Sequence, residues 1–399
     1  MTTKLLRNCR TSQGNEIGSI FVVDGTIAEL WGDDPAGEYA QVFDLAEALV
    51  SPGFVDVHNH GAVGVDVNSA TADDLLTVGA YLAKNGVTAW MPTLVPDSDE
   101  NYRRVIDAID EVMVRQADLA IAQVIGVHYE GVYASAKMCG ALRPEFFRSG
   151  RPLEERTTPS AQSGGHPSLV RRGAIDLPKL REGVHMTTLA PEIDGGIELI
   201  ETLVSQGWIV SIGHTEADAE TLDAAFDAGA RHLTHLFNAM TGIHHRNMGV
   251  AGWGLYNEQV TFDIIADGVH VRPEMISVAC HAKSPSKVSL ISDSIAPTGL
   301  GDGAFDLWGE KITVRNGRTK NERGSIAGSV STMHDGVGMM RSLGFSDSDI
   351  ANMASTNPAR LLGIDSDRGS IEIGKRADLV ALDADGNIKM TMIGGKVVE

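Results

Sequence analysis

An α/β barrel of eight parallel strands, joined to a small sheet domain built from both chain ends, is the fold class this sequence predicts. Three observations carry it. Between residues 51 and 365, short apolar β-type runs alternate with segments of helical period, the texture of buried parallel strands linked by crossover helices. Residues 1–50 and 366–399 read differently. "SIFVVDGTIAEL" and "GSIEIGKRADLVALDADGNIKMTMIGGKVVE" are Gly-punctuated alternations, which favour antiparallel strands. Residues of metal-ligand type also stand at the ends of the apolar runs, where a barrel keeps its chemistry. A doubly wound open sheet is the alternative; no G-x-G-x-x-G follows a strand, which weakens a dinucleotide-binding version of it.

The expected barrel strands are, in order, "GFVDVH", "GVTAWMPTLV", "AQVIGVHYE", "GVHMTTLAPE", "GWIVSIGH", "RHLTHLF", "VTFDIIADG" and "KVSLISD". Helical segments such as "ADDLLTVGAYLAKNG" and "DAETLDAAFDAGA" lie between most of them. One stretch breaks the rhythm: residues 148–173, "RSGRPLEERTTPSAQSGGHPSLVRRG", are polar and rich in Ser, Gly, Pro and Arg. They read as a long excursion after the third strand, either a lid or a passive surface loop.

Bulk properties exclude several roles. The 399 residues carry 33 basic and 53 acidic side chains, a formal charge of −20, so neither nucleic acid nor an anionic membrane has electrostatic support as a partner. No apolar run reaches the ~18 residues of a membrane span. The N-terminal "MTTKLLRNCRTSQGNE" lacks the apolar region of a secretion signal. The odd number of cysteines, Cys9, Cys139 and Cys280, fits a reducing, cytoplasmic setting better than a disulfide framework.

The strand ends supply the candidate chemistry. The first strand ends in His58 and His60, the third in His128-Tyr129-Glu130, the fifth in His214, the sixth in His235 and the eighth in Asp293; Asp267 and His270 follow the seventh. Residues two apart on a strand face the same side, so His58 can converge with His60, and His128 with Glu130. Imidazole nitrogens and a carboxylate gathered from several strands are what Zn²⁺ or Fe²⁺ accepts. Taken singly, each has a plainer use: a strand-end histidine such as His128 or His232 can be a hydrogen-bonded structural residue, Glu130 a salt-bridge acid, and Asp293 a helix cap. The joint pattern favours a divalent-metal site. A bound divalent ion lowers the pKa of water from ~15.7 toward ~7, and Asp293 is the candidate to take that water's proton and pass it to a leaving group. This is equipment for hydrolysing an amide or ester.

At these residues the sequence resembles the amidohydrolase superfamily and, within it, the N-acetylglucosamine-6-phosphate deacetylases. The likeness runs from "PGFVDVHNHG" to "GSIEIGKRADLVALD", with "TLAPE", "GHT", "THLFNAM", "DGVH", "SDSIAPTG" and "AGS" as its specific pieces. It implies a metal-dependent (β/α)₈ barrel over 51–365 and a small β-sandwich from 1–50 plus 366–399. It implies that Glu130, His214 and His235 hold the main metal and that Asp293 is the acid/base. His58 and His60 add a second ion that shares Glu130, so one or two ions, zinc or iron, are expected. By position, Asn238, Ala239 and His270 lie against the phosphate end of an amino sugar phosphate, and Arg246 reaches the phosphate held by a neighbouring subunit, which implies a homodimer. The chain departs from the family pattern in "HYEGVYASAKMCGAL": Val132 stands for a proline, and Leu142 for a histidine that would help polarise the acyl carbonyl. The excursion from Arg148 also exceeds the usual length. An amidohydrolase for a different N-acyl amino sugar or cyclic amide is therefore the second reading, and a barrel that has lost catalysis and only binds is the third.

Overall fold

The computed structural model describes residues 2–12, 18–32, 39–151 and 177–399. From residue 152 onward, the polar excursion expected over 148–173 lies outside them.

Eight parallel strands form one path in chain order: Phe54–Asn59, Val87–Leu94, Gly126–Tyr133, Val184–Leu189, Ile209–Ile212, His232–Leu233, Thr261–Ile265 and Val288–Ile291. All eight fall on the expected runs. The last meets the first through Asp293 N–H donating to His58 O at 3.0 Å and His60 N–H donating to Ser294 O at 2.8 Å, which closes the barrel. The crossover helices show why the sequence folds this way. Ala72–Lys84 opens on a reciprocal Thr71–Asp74 capping box and buries Leu75, Val78 and Leu82 on one face. Such a cap contributes about 1 kcal/mol. Asp99–Arg115 starts at the Ser98 cap and buries Tyr102, Val105, Ile109 and Val112 against the strands.

The barrel interior is layered. Val55, Val57, Ala89, Met91, Met186, Ile265 and Ile291 form an apolar floor. Above it comes a polar layer in which His128 Nε2 meets Thr188 Oγ1 at 2.8 Å and Thr188 Oγ1 meets Thr234 Oγ1 at 2.7 Å. The rim residues stand on this layer.

The chain ends join in one seven-stranded sheet, ordered Lys396–Val397, Ile388–Ile393, Leu379–Leu382, Gln41–Pro52, Thr3–Thr11, Ser19–Val23 and Thr26–Trp31. The edge strand Thr26–Trp31 also meets the segment that leads into Leu379–Leu382, where Ile27 N–H donates to Lys375 O at 2.9 Å. Leu6, Ile20, Ile27, Val50, Leu379 and Met392 make a core of their own between the two halves. Gln41–Pro52 leads through Gly53 into the first barrel strand. A Cβ at Gly53 would lie 2.1 Å from Thr88 Cγ2, so only glycine lets the two strands approach there.

Candidate metal centre

Local backbone irregularities aim the rim side chains inward. The pairing register of the first strand shifts between Asp56 and Asn59, so inward parity passes from Val55 and Val57 on the floor to His58 and His60 at the rim. A bulge of this kind re-aims side chains. Asn59 pins it by donating to Asp56 Oδ2 at 3.0 Å and Ser294 Oγ at 2.7 Å. Glu130 keeps the parity of His128 one layer below it. His214, His235 and Asp293 each follow their strand with positive φ, +49°, +36° and +49°. Left-handed backbone costs a non-glycine residue of order 1 kcal/mol or more. The cost is spent on turning three polar side chains into the mouth.

There they meet. Glu130 Oε1 lies 3.1 Å from His214 Nε2 and 2.9 Å from His235 Nε2, and the two imidazole nitrogens are 3.2 Å apart. Beside this triangle, His58 Nε2 is 3.1 Å from His60 Nε2, and both are 3.4 Å from Asp293 Oδ1. Glu130 faces both groups, with Oε1 3.4 Å from His58 Nε2 and Oε2 3.2 Å from His60 Nε2. Atoms bonded to one ion at about 2.0–2.2 Å and subtending 90–109° stand roughly 2.8–3.6 Å apart; both triads fit. All six residues are buried.

Proton accounting supports the same fit. His214 Nδ1 lies 2.8 Å from Met138 O, and His60 Nδ1 lies 3.1 Å from Thr93 O. A carbonyl only accepts, so in the neutral rings Nδ1 carries the hydrogen and Nε2 presents a lone pair to a carboxylate oxygen. Two acceptors cannot share that space without a proton or a cation between them. The metal-free protein answers with protons. Burial by itself would depress His60, yet the hydrogen bonds and charges of Asp293 and Glu130 raise it to about 10. His235 is likewise raised against burial, chiefly by Glu130, to about 9. Burial would raise the Glu130 carboxyl, but the charge of His58 and the hydrogen bonds from His214, His235 and His58 hold it well below the usual carboxylate range.

The remaining candidates sort by depth. Burial and the charge of His58 push His128 far down, and its bond to Thr188 makes it a structural histidine under the rim. His232, out of phase with the rim, pairs with Asp263 at 3.1 Å. Asp263 also accepts the backbone N–H of His235, so this pair braces the sixth strand's end. A cavity of about 320 Å³ opens above the triads, lined by His60, Glu130, His214, His235 and Asp293 together with Asn238, Ala239, His270, Leu142, Trp308 and Ile326. His270 Nδ1 is fixed by Asp267 Oδ2 at 2.7 Å, and Ser329 Oγ donates to the same oxygen at 3.1 Å. Arg246 is exposed on its loop and does not line the cavity. Leu142 lines the cavity yet packs with Val95 and Ala134 and against Phe147 and Trp308. Neither of the neighbouring tyrosines, Tyr129 and Tyr133, lines the cavity, and Tyr129 Oη donates outward to Pro178 O.

Sequence reasoning missed Trp308. It reaches the mouth from a three-stranded sheet beyond the eighth strand, with its ring 5.3 Å from that of His60 and its Nε1–H donating to Asp66 at 3.3 Å. The Met138 and Thr93 carbonyls that orient the imidazoles were missed as well, since a backbone acceptor leaves no side-chain signal.

Comparison with known proteins bears on this geometry. The amidohydrolase family model matches residues 49–398. N-acetylglucosamine-6-phosphate deacetylase of Bacillus subtilis (strain 168) is 33% identical over 399 residues, covering 98% of this chain and 96% of that protein. N-acetylgalactosamine-6-phosphate deacetylase of Escherichia coli O157:H7 is 33% identical over 377 residues, covering 94% and 93%. Among solved structures, a mutant N-acetyl-D-glucosamine-6-phosphate deacetylase of Mycobacterium smegmatis in complex with N-acetyl-D-glucosamine-6-phosphate superimposes with a TM-score of 0.84 at 30% identity, over 100% of both chains. With a family match over most of its length and a closed barrel whose rim gathers two metal-competent triads, this chain belongs to the amidohydrolase family.

Proposed function

We propose that the protein is a metal-dependent deacetylase that hydrolyses the amide of an N-acetylhexosamine 6-phosphate, N-acetylglucosamine 6-phosphate first, to the amino sugar phosphate and acetate. The observation that carries the reading is the convergence of lone pairs from Glu130, His214 and His235 beside a carboxylate, Asp293, at the floor of one cavity. The names of the relatives support the substrate class.

In this reading Glu130, His214 and His235 would hold the main ion, zinc or iron, and His58 and His60, together with Glu130, could hold a second. A divalent ion held there supplies Lewis acidity toward the amide carbonyl and makes water acidic enough to lose a proton near neutral pH. Asp293 takes the proton from the attacking water at a carboxylate oxygen and delivers it to the amide nitrogen as the C–N bond breaks. Its Oδ1 faces His58 and His60, which leaves Oδ2 for this transfer. His270, oriented by Asp267, and Asn238 and Ala239 place the sugar phosphate so that the acetamide lies over the triads. Arg246 completes the phosphate seat of the partner in a homodimer. Residues 51–365 carry the chemistry, and residues 1–50 with 366–399 form the small sheet domain. The three free cysteines among the described residues agree with a cytoplasmic setting.

Leu142 supports a second reading, an amidohydrolase for another N-acyl amino sugar, because an apolar side chain lines the cavity where the family pattern has a histidine. Steady-state kinetics separate the two, with N-acetylglucosamine 6-phosphate, its galacto epimer and unphosphorylated N-acetylglucosamine assayed on samples of measured metal content. The phosphate is expected to improve kcat/KM by at least about tenfold, roughly 1.4 kcal/mol of transition-state binding. A smaller gain favours the second reading.

A further inference from the structure

Beyond the eighth barrel strand the chain forms a three-stranded antiparallel sheet, Gly303–Leu307, Glu310–Arg315 and Arg318–Lys320. Its last two strands pair Arg315 directly with Arg318 and Thr313 with Lys320. Residues two apart share a face, so Arg315, Arg318 and Lys320 stand together on one side. Like charges directly opposite one another destabilise a ladder, and a neighbouring carboxylate, Asp302, accepts the backbone N–H of Asn316 at 2.9 Å and forms no ion pair with them. Lys311 and Arg323 from the same region pair with Asp306 at 3.0 Å and with Glu310 at 2.9 Å. Arg315, Arg318 and Lys320 have no ion pair among the described residues. They line a cavity of about 540 Å³ whose described walls hold no acidic residue: Val269, Thr313, Asn316, Thr319, Asn321, Gly324 and Ile326 complete it. In a chain of formal charge −20, three clustered cations with no ion pair among the described residues call for a specific cause.

A second observation points the same way. Asn321 is only 4% exposed. Its Oδ1 accepts Ser325 N–H at 2.9 Å, which fixes the amide, while its Nδ2 is buried without a partner. A buried donor left unpaired costs about 1–3 kcal/mol. The cavity thus combines two guanidinium groups, an ammonium and an unspent amide donor, the chemistry that phosphate oxygens satisfy. It also adjoins the candidate metal centre: Ile326 lines both cavities, and Val269 precedes His270.

We propose that this face is a phosphate-binding subsite at the lip of the barrel mouth, taking inorganic phosphate or the phosphoryl group of a sugar phosphate. It goes beyond the deacetylase reading, whose phosphate seat uses His270 and Asn238, and it stands on other residues. At the entrance it would gather dianionic ligands toward a protein whose net charge otherwise repels them.

The test is calorimetric titration of the metal-loaded protein with inorganic phosphate and, separately, with glucose 6-phosphate, which has no amide to cleave. The Arg315→Gln/Arg318→Gln double variant is expected to bind the tighter of the two at least about tenfold more weakly, and Arg318→Lys, which keeps the charge, less than about threefold more weakly. Ligand-free thermal unfolding of the double variant should match or exceed the wild type, since repulsion is removed, and this separates lost binding from lost folding. The same hairpin effect should persist in a His270→Asn background. Equal binding by wild type and double variant overturns the subsite; so does loss of all phosphate binding on His270→Asn alone. Which ligand binds tighter identifies the source of the phosphoryl group. Because neither ligand is turned over, the result stands or falls apart from the deacetylase assignment.

Discussion

The two triads at the barrel rim are built by different means. His58 and His60 come from one strand, a single residue apart, and are aimed together by one bulge pinned through Asn59. Glu130, His214 and His235 come from three strands, and two of them need left-handed backbone to turn inward. The triangle built from three strands is nonetheless the tighter one, with edges of 2.9–3.2 Å. His58 and His60 both stand 3.4 Å from Asp293. The difference teaches that only the His58–His60 pair is local; Asp293 reaches it from the eighth strand, with left-handed backbone of its own, so both triads depend on barrel closure. Strain and long-range assembly are tolerated where the donors must converge most closely.

Removing the residue that the two triads share has the largest expected effect. Glu130 touches all four histidines. Glu130→Gln keeps shape but loses the charge, and it should strip most bound metal from both triads and lower kcat/KM by at least ~10³, the scale of losing the Lewis acid. Elemental analysis of the purified variant alongside kinetics checks this. Full metal content would mean that Glu130 is not a ligand. Next in size is Asp293→Asn. The Glu130, His214 and His235 triad should stay loaded while kcat falls by about 10²–10⁴, the usual worth of a general acid–base. Near-wild-type turnover would remove Asp293 from the mechanism.

The same contrast explains what the sequence could reveal. Every rim residue follows an apolar run that ends abruptly in His, Glu or Asp, so strand order and strand ends were legible together. Depth was not. His128 and Glu130 share a face by spacing, but only the stacked layers show that His128 bonds to Thr188 below the rim while Glu130 reaches it. Parity was also incomplete as a guide. Val57 belongs to the floor and His58 to the rim because of a bulge that no residue type announces. Trp308 arrives from a sheet outside the barrel repeat, where an aromatic carries no metal-type signal. In the terminal sheet, alternation marked strands at both ends. It could not show that Gln41–Pro52 lies between Thr3–Thr11 and Leu379–Leu382, because that pairing depends on contacts across nearly the whole chain.

His60→Asn tests whether the second triad is a metal site at all. It leaves the Glu130, His214 and His235 triangle intact, so about one equivalent of metal should be lost and kcat/KM should fall by roughly tenfold, less than for either carboxylate. Unchanged metal content would show that His58, His60 and Asp293 hold no ion in the wild type, and that their closeness serves proton transfer alone.

The smallest effect is on stability, and it distinguishes protons from metal as the charge that the rim needs. With no cation bound, His60 is raised to about 10 and His235 to about 9 by Asp293 and Glu130, against the opposing pull of burial. In the unfolded chain both titrate near ~6.5. Between those limits the folded state binds more protons, so the stabilisation from these contacts is complete below about pH 6.5 and drains away as pH rises through about 9 to 10. The Tm of chelator-treated protein should therefore decline by a few degrees from pH 7 to pH 10. A bound cation displaces those protons, so the loaded protein should show a flatter profile over the same range, and metal uptake at pH 7.5 should release protons to the buffer. In His60→Asn the decline should lose its upper part, leaving the transition that belongs to His235. A metal-free protein whose Tm ignores pH across this window would mean that the imidazoles and carboxylates do not face one another as described, and both triads would fall with that result.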